Sequence, residues 1–258
     1  MRWEPKLGRY ARETVAGIEK EYRTQLDPKA RKRAIHHALG YLVRIYFDQA
    51  APHNLGAVVL KGHTYTDARG RKRPLVLFRS AVTTQAAGRC PCFQSLIRAG
   101  GVRHVINLYG GTFPFRDLIE EERRLARKLG VTYLDASASP RLRFRDLVEH
   151  AEDYEGNKKQ AMENLASLIR EHLLAPGGSP PRGNLYIHCG GGMHRSGMLF
   201  GVVRRCVNGD PIDLIEAEYR RHTAHVSDKN PGGYEALNMR FIREFDCGLL
   251  AADKAGAR

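Results

Sequence analysis

The residues best placed to do chemistry lie in the segment His188-Cys-Gly-Gly-Gly-Met-His-Arg-Ser-Gly197. Cys189 ends a short apolar segment, and Arg195 follows six residues later at the predicted start of a helix. The glycines between them let successive backbone N–H groups turn inward and form a nest for a dianion. The helix N-terminus adds unsatisfied N–H groups and a partial positive charge.

A cysteine thiol in such a field is expected to ionise to the thiolate, which is its nucleophilic form. Arg195 can hold two phosphate oxygens through its planar guanidinium group. The segment therefore predicts a phosphate cradle with a nucleophile at its base.

This segment resembles the signature of the Cys-based protein tyrosine phosphatase superfamily, which is His-Cys, five residues, then Arg and Ser or Thr. Gly192 and Gly197 stand at the usual glycine positions. The resemblance extends to Phe78-Arg79-Ser80-Ala81 and to Asn230-Pro-Gly-Gly-Tyr234, which look like the opening and closing segments of bacterial and atypical dual-specificity phosphatases. It covers roughly residues 57–247.

The resemblance implies a role for each matching residue. Cys189 attacks phosphorus and forms a cysteinyl-phosphate intermediate. Arg195 and the loop N–H groups bind the phosphate oxygens and stabilise the transition state. Ser196 donates to the departing sulfur, and His188 orders the loop through its ring, unless it is only a packed strand-end histidine. The predicted phosphate-binding residues are Gly190, Gly191, Gly192, Met193, His194, Arg195 and Ser196.

The general acid is where the chain departs from this family. The family carries an aspartate on a mobile loop after the strand that precedes the long helix, and it protonates the leaving oxygen. Residues 137–145 contain no carboxylate. Asp135 is our first assignment, Asp146 and Asp153 are the alternatives, and an enzyme without a carboxylate acid is the third interpretation.

The substrate also stays open at this point. Arg141, Arg143 and Arg145 alternate on a loop expected at the rim of the pocket, where they and His194 either bind a second phosphate or are only solvated charge. The cradle carries no lysine, which weakens the polyphosphate interpretation. We predict a protein tyrosine or dual-specificity phosphatase. The first alternative is an inositol polyphosphate or phosphoinositide phosphatase, and the second is a non-catalytic phosphate-binding or basic interaction module.

The elements that must position these residues alternate along the chain. Strands are predicted at 102–108, 131–136 and 184–188, and helices at about 92–99, 117–129, 158–174 and 196–207. Two further strands, AVVL and PLVLFRS, flank a turn at 67–70. This order predicts an α/β fold with a central, mainly parallel sheet of four to five strands flanked by helices, as in protein tyrosine phosphatases.

Three regions are predicted: a basic helical N-terminal extension over 1–56, a catalytic domain over 57–247 and a flexible tail over 248–258. Apolar residues from Ile35 to Tyr46 keep the spacing of one helix face. We expect this helix to pack on the catalytic domain, with docking to an anionic membrane or nucleic acid as the alternative.

The composition is that of a folded protein with an excess of positive charge. The 258 residues are 42% hydrophobic, which argues against disorder, and the net charge is +14 from 42 basic and 28 acidic residues. No apolar run reaches about 18–20 residues, so no membrane span is predicted, and no secretory signal is evident. Five cysteines without framework spacing predict free thiols in a reducing, cytoplasmic compartment.

No metal and no cofactor are expected. The expected partners are phosphorylated proteins or phosphorylated small molecules, including inositol phosphates, and nucleic acid is not expected. Peripheral membrane contact and the oligomeric state stay open.

Overall fold

A five-stranded sheet forms the centre of the fold in the computed structural model, which describes residue 54 and residues 56–82, 91–110, 116–227 and 234–251. The strands run in the spatial order β1-β2-β5-β3-β4. β1 pairs antiparallel with β2, and the other neighbours pair in parallel. The predicted α/β fold with a mainly parallel sheet is thereby confirmed. The strands are β1 Gly56–Thr66, β2 Lys72–Ala81, β3 Val102–Asn107, β4 Thr132–Asp135 and β5 Asn184–Cys189.

Helices cover both faces of this sheet. The helix predicted at about 158–174 begins earlier than predicted. Acidic residues favour the first turn of a helix, and buried Tyr154 extends the apolar face of this one. That helix begins at 151 rather than near 158, and it continues as a π-helical segment, Leu168–Leu174. The helices are α1 Pro91–Arg98, α2 Arg116–Lys128, α3 Ala151–Ser167, α4 His194–Cys206, α5 Ile212–Ser227 and α6 Tyr234–Glu244.

β5 lies at the middle of the sheet and is buried on both faces. Its side chains alternate between two apolar clusters, as the two-residue period of a strand requires. Leu185 and Ile187 pack into the larger cluster, with α3, α4 and α6, whereas Tyr186 packs with α1 and α2. The carboxyl end of β5 therefore holds Cys189 between two helical layers, at the edge of a parallel sheet where ligands bind in α/β folds.

The cysteines are not all free, so that prediction was wrong. Cys206, at the end of α4, forms a disulfide with Cys247. The two are 41 residues apart in sequence, and only the fold brings their Cα atoms to 5.2 Å, so no local spacing signals the pair. Cys247–Leu250 forms a 3-10 turn, so regular structure continues past the predicted start of the tail at 248. Cys90 lies outside the described residues.

Two further predictions, a helix near the N-terminus and the absence of a membrane span, concern residues of which the structure describes none or only a part. The amphipathic helix predicted between residues 34 and 46 lies outside the described ranges. Within those ranges, no helix has both the length and the apolar character that crossing a membrane requires.

Candidate active site

The loop for which the sequence predicts a phosphate cradle lies where β5 passes into α4. Cys189 is the last residue of β5 and is 4% exposed. Its Sγ lies 3.4 Å from the hydroxyl oxygen of Ser196, which is fully buried in the first turn of α4. The Ser196 hydroxyl can therefore donate a hydrogen bond to the sulfur.

Two glycines of the cradle allow contacts that a side chain would prevent. Gly192 has a φ of +66°, and a Cβ there would lie 2.3 Å from the backbone nitrogen of Ala81. A Cβ on Gly197 would lie 2.6 Å from Cε2 of Tyr219. The loop thus packs tightly against β2, and the start of α4 packs tightly against α5.

Arg195 reaches across the mouth of the loop to Asp146. Its Nη2 donates to Asp146 Oδ1 over 2.8 Å, and the side chains are 27% and 36% exposed. Burial lowers the pKa of Arg195, but the hydrogen bond with Asp146 and the negative charges of Cys189, Asp146 and Glu149 outweigh burial and raise it overall. A 3-10 turn, Arg145–Val148, carries Asp146 to this position. Arginine and carboxylate thus meet at the entrance, where an incoming phosphate would compete for the arginine.

Asp135 is held away from this entrance. Its carboxylate accepts hydrogen bonds from Arg123 at 2.7 Å, from Ser137 at 2.5 Å and from Asn107 at 3.3 Å. In the sheet, Asn107 pairs with both His188 and Asp135, so Asp135 lies two strands, or about 10 Å, from the end of β5. Asp153 is exposed in the first turn of α3. Of the three candidate acids, Asp146 is the one that contacts Arg195.

His188 is fixed by a partner that sequence reasoning missed. Its Nε2 lies 2.9 Å from Glu122 Oε2, and both side chains are fully buried. The ring also stacks on Tyr186, with centroids 5.3 Å apart. A signal for Glu122 was available, because Ile119, Glu122 and Ala126 share the i, i+3, i+7 spacing of the buried helix face. Glu122 therefore contacts the ring of the residue that precedes Cys189.

His194 is the first residue of α4, and its side chain lies in a cluster of neutral polar groups. Its Nδ1 lies 3.3 Å from the hydroxyl of Tyr219 and 3.2 Å from the amide nitrogen of Asn238, which also donates to that hydroxyl over 2.7 Å. Burial, together with the positive charges of Arg145 and Arg195, lowers the pKa of His194 to about 4. Burial likewise raises the pKa of Tyr219. Both groups are therefore neutral at physiological pH.

A cleft of about 250 Å³, open to solvent, leads to Arg195. Its walls are the segments 136–137 and 142–146. Arg143 donates to the carbonyl of Ser137 over 2.9 Å, and the side chain of Arg145 is 3% exposed. Two of the three predicted rim arginines therefore line the cleft, and Arg141 is not among its lining residues.

No protein-family model matches this chain, and none of the curated proteins matches it. Solved structures give matches at low identity. The core catalytic domain of the PP-IP phosphatase SIW14 from S. cerevisiae, in complex with citrate, is 19% identical, with a TM-score of 0.44 and coverage of 76% of this chain and 87% of that chain. P. aeruginosa TpbA in complex with pTyr is 17% identical, with a TM-score of 0.38 and coverage of 81% and 100%. At these TM-scores, the assignment of function rests on the residues of the site itself.

Proposed function

We propose that this chain is a Cys-dependent phosphatase that hydrolyses phosphomonoesters through a cysteinyl-phosphate intermediate. The observation that carries the proposal is the loop from Cys189 to Ser196, which brings together a buried thiol, a hydroxyl 3.4 Å from its sulfur and an arginine. A non-catalytic phosphate-binding module would need the nest and the arginine but not the thiol.

In the proposed reaction, the Cys189 thiolate attacks phosphorus, and the bond to the leaving oxygen breaks as that oxygen takes a proton. We assign this proton to Asp146 rather than to Asp135, because Asp146 contacts Arg195 and Asp135 is engaged by Arg123 and Ser137. Water then attacks the cysteinyl phosphate, and Asp146, now a carboxylate, accepts its proton. Sulfur leaves as the thiolate, to which the Ser196 hydroxyl 3.4 Å away can donate a hydrogen bond.

For the substrate, we propose phosphotyrosine in proteins, with phosphoserine and phosphothreonine as further substrates. A second candidate is an inositol polyphosphate or phosphoinositide, which is favoured by Arg143 and Arg145 in the cleft wall. An arginine beside the cradle can hold a second phosphate through paired hydrogen bonds. The expected cytoplasmic location stays a prediction, and the Cys206–Cys247 disulfide is the observation that speaks against a strongly reducing compartment.

Phosphate release from a panel of phosphotyrosine peptides, phosphoinositides and inositol phosphates tests this proposal. Wild type and Arg195→Lys are compared, because lysine keeps the charge but cannot make a bidentate contact with phosphate. We expect turnover by wild type on at least one class and a loss of about 10²-fold or more in Arg195→Lys. Absence of turnover by wild type on the whole panel, with phosphate still bound, would support the binding module instead.

A further inference from the structure

Three successive carbonyl groups of the loop between β5 and α4 each accept a hydrogen bond from a residue outside the loop. The carbonyl of Gly190 accepts from the backbone N–H of Val82 at 3.3 Å. The next carbonyl, of Gly191, accepts from the side-chain amide of Asn54 at 2.7 Å. The third, of Gly192, accepts from Nη2 of Arg79 at 2.6 Å. None of these three donors belongs to the loop, and the cradle motif itself does not include them.

The direction of a carbonyl fixes the direction of the next N–H group. In a trans peptide, the C=O of one residue and the N–H of the following residue point to opposite sides of the chain. Drawing the three carbonyls outward therefore turns the next three N–H groups, of residues 191–193, towards the inside of the loop. Those are the groups that a bound phosphate needs.

We propose that Arg79 and Asn54 are positioning residues that set the inward direction of the loop N–H groups before phosphate arrives. The inference rests on the proposed function in one respect, which is that the loop binds a phosphate group. Neither residue contacts the reacting atoms in this arrangement, and both act through the loop backbone.

The surroundings of Arg79 fit a fixed, charged donor. The residue is 1% exposed at the end of β2, and its guanidinium lies 5.4 Å from the ring centroid of Phe200 in α4. Burial lowers the pKa of Arg79, and the negative charges of Glu218 and Cys189 oppose that effect. The loop carbonyl thus receives a charge-assisted hydrogen bond, which is stronger than one from a neutral donor.

Asn54 is equally suited to its place. It is 8% exposed and has a φ of +52°, a left-handed conformation that asparagine adopts more readily than most residues. It precedes the predicted start of the catalytic domain at 57, so at least one residue assigned by sequence to the extension contributes to the loop.

Arg79→Met, Arg79→Lys and Asn54→Asp test the proposal, with two matched controls. Arg204→Met removes a neighbouring arginine that pairs with Glu218 and Asp210 but not with the loop. Asn208→Asp changes a comparably buried asparagine that binds the backbone of β1. Thermal unfolding measures stability in each variant. Affinity for inorganic phosphate and for vanadate is measured by titration without turnover, and kcat and KM are measured separately.

We expect Arg79→Met and Asn54→Asp to bind both anions about tenfold or more weakly than wild type, because the N–H groups lose their orientation. Arg79→Lys should recover part of this affinity, since an ammonium can still donate to the Gly192 carbonyl. The controls should lose stability and keep anion affinity within about twofold.

The proposal is overturned if Arg79→Met and Asn54→Asp bind phosphate and vanadate as their controls do. Asn54→Asp keeps the test decisive if Arg79→Met does not fold. A wild-type protein that binds phosphate but has no turnover would remove the proposed function and leave this inference standing, because the anion affinities are measured without turnover.

Discussion

Nη2 of Arg195 and Oδ1 of Asp146 lie 2.8 Å apart at the mouth of the loop between β5 and α4. The residue proposed to bind phosphate and the residue proposed to supply the proton are thus already in contact. We propose that a phosphate bound by the Arg195 guanidinium has its leaving oxygen beside the Asp146 carboxyl group. This relationship is the basis for assigning the acid to Asp146.

Asp146→Asn is expected to lower kcat on phosphotyrosine by about 10²–10⁴, because the amide cannot donate the proton that the leaving oxygen needs. The loss should be much smaller on p-nitrophenyl phosphate, whose leaving group departs unprotonated. Steady-state kinetics of both substrates measure the difference. Asp135→Asn is the control, and a leaving-group-dependent loss in that variant, but not in Asp146→Asn, would return the role to Asp135.

Glu122→Gln should destabilise the protein by about 1–3 kcal/mol, because it weakens a buried contact to His188. Chemical denaturation gives the free energy of unfolding. Glu121→Gln, in the same helix, changes a carboxylate that pairs with exposed Arg124 and should cost less than about 0.5 kcal/mol. Equal losses of unfolding free energy in the two variants would show that the buried contact to His188 stabilises the protein no more than the exposed pair does.

The stability of the protein should fall as the pH is lowered from 6.5 towards 4, in part through His194. The folded-state pKa of His194 is about 4, below its ordinary value of 6.5, so the unfolded chain takes up a proton in this window and the folded chain does not. His194→Gln removes this effect, which is worth about 3 kcal/mol at pH 4. Melting temperatures of both proteins across the window should converge at low pH, and parallel curves would contradict the assignment.

Much of this architecture can be predicted from the sequence, because its signals are local. Apolar strands alternate with amphipathic helices, and the Cys189–Arg195 spacing marks the loop. The partners of the loop cannot be predicted in the same way. Asn54 and Arg79 reach it from 137 and 113 residues away, and only the order of the strands brings them there. The sequence favours Asp135 as the acid, and the 3-10 turn that carries Asp146 to Arg195 is the observation behind our proposal of Asp146 instead.

The Cys206–Cys247 disulfide should stabilise the fold without affecting catalysis. It joins the end of α4 to the last 3-10 turn and closes a loop over a sequence separation of 41. For a loop of that size, the chain-entropy estimate is about 4 kcal/mol, and about 2–4 kcal/mol is a typical cost of removal. Cys247→Ala should therefore unfold at lower denaturant concentration with an unchanged kcat. A loss of kcat in the folded variant would show that the disulfide also supports the site.

The central claim is that Cys189 is the nucleophile. The most direct test measures phosphate release by Cys189→Ser together with the affinity of that variant for inorganic phosphate. Serine has the same shape but stays protonated, so the cradle should persist while the attacking group is lost. We expect release to fall to background on every substrate that wild type hydrolyses, with phosphate bound within about threefold of wild type. Release within about tenfold of wild type would contradict a covalent mechanism at Cys189.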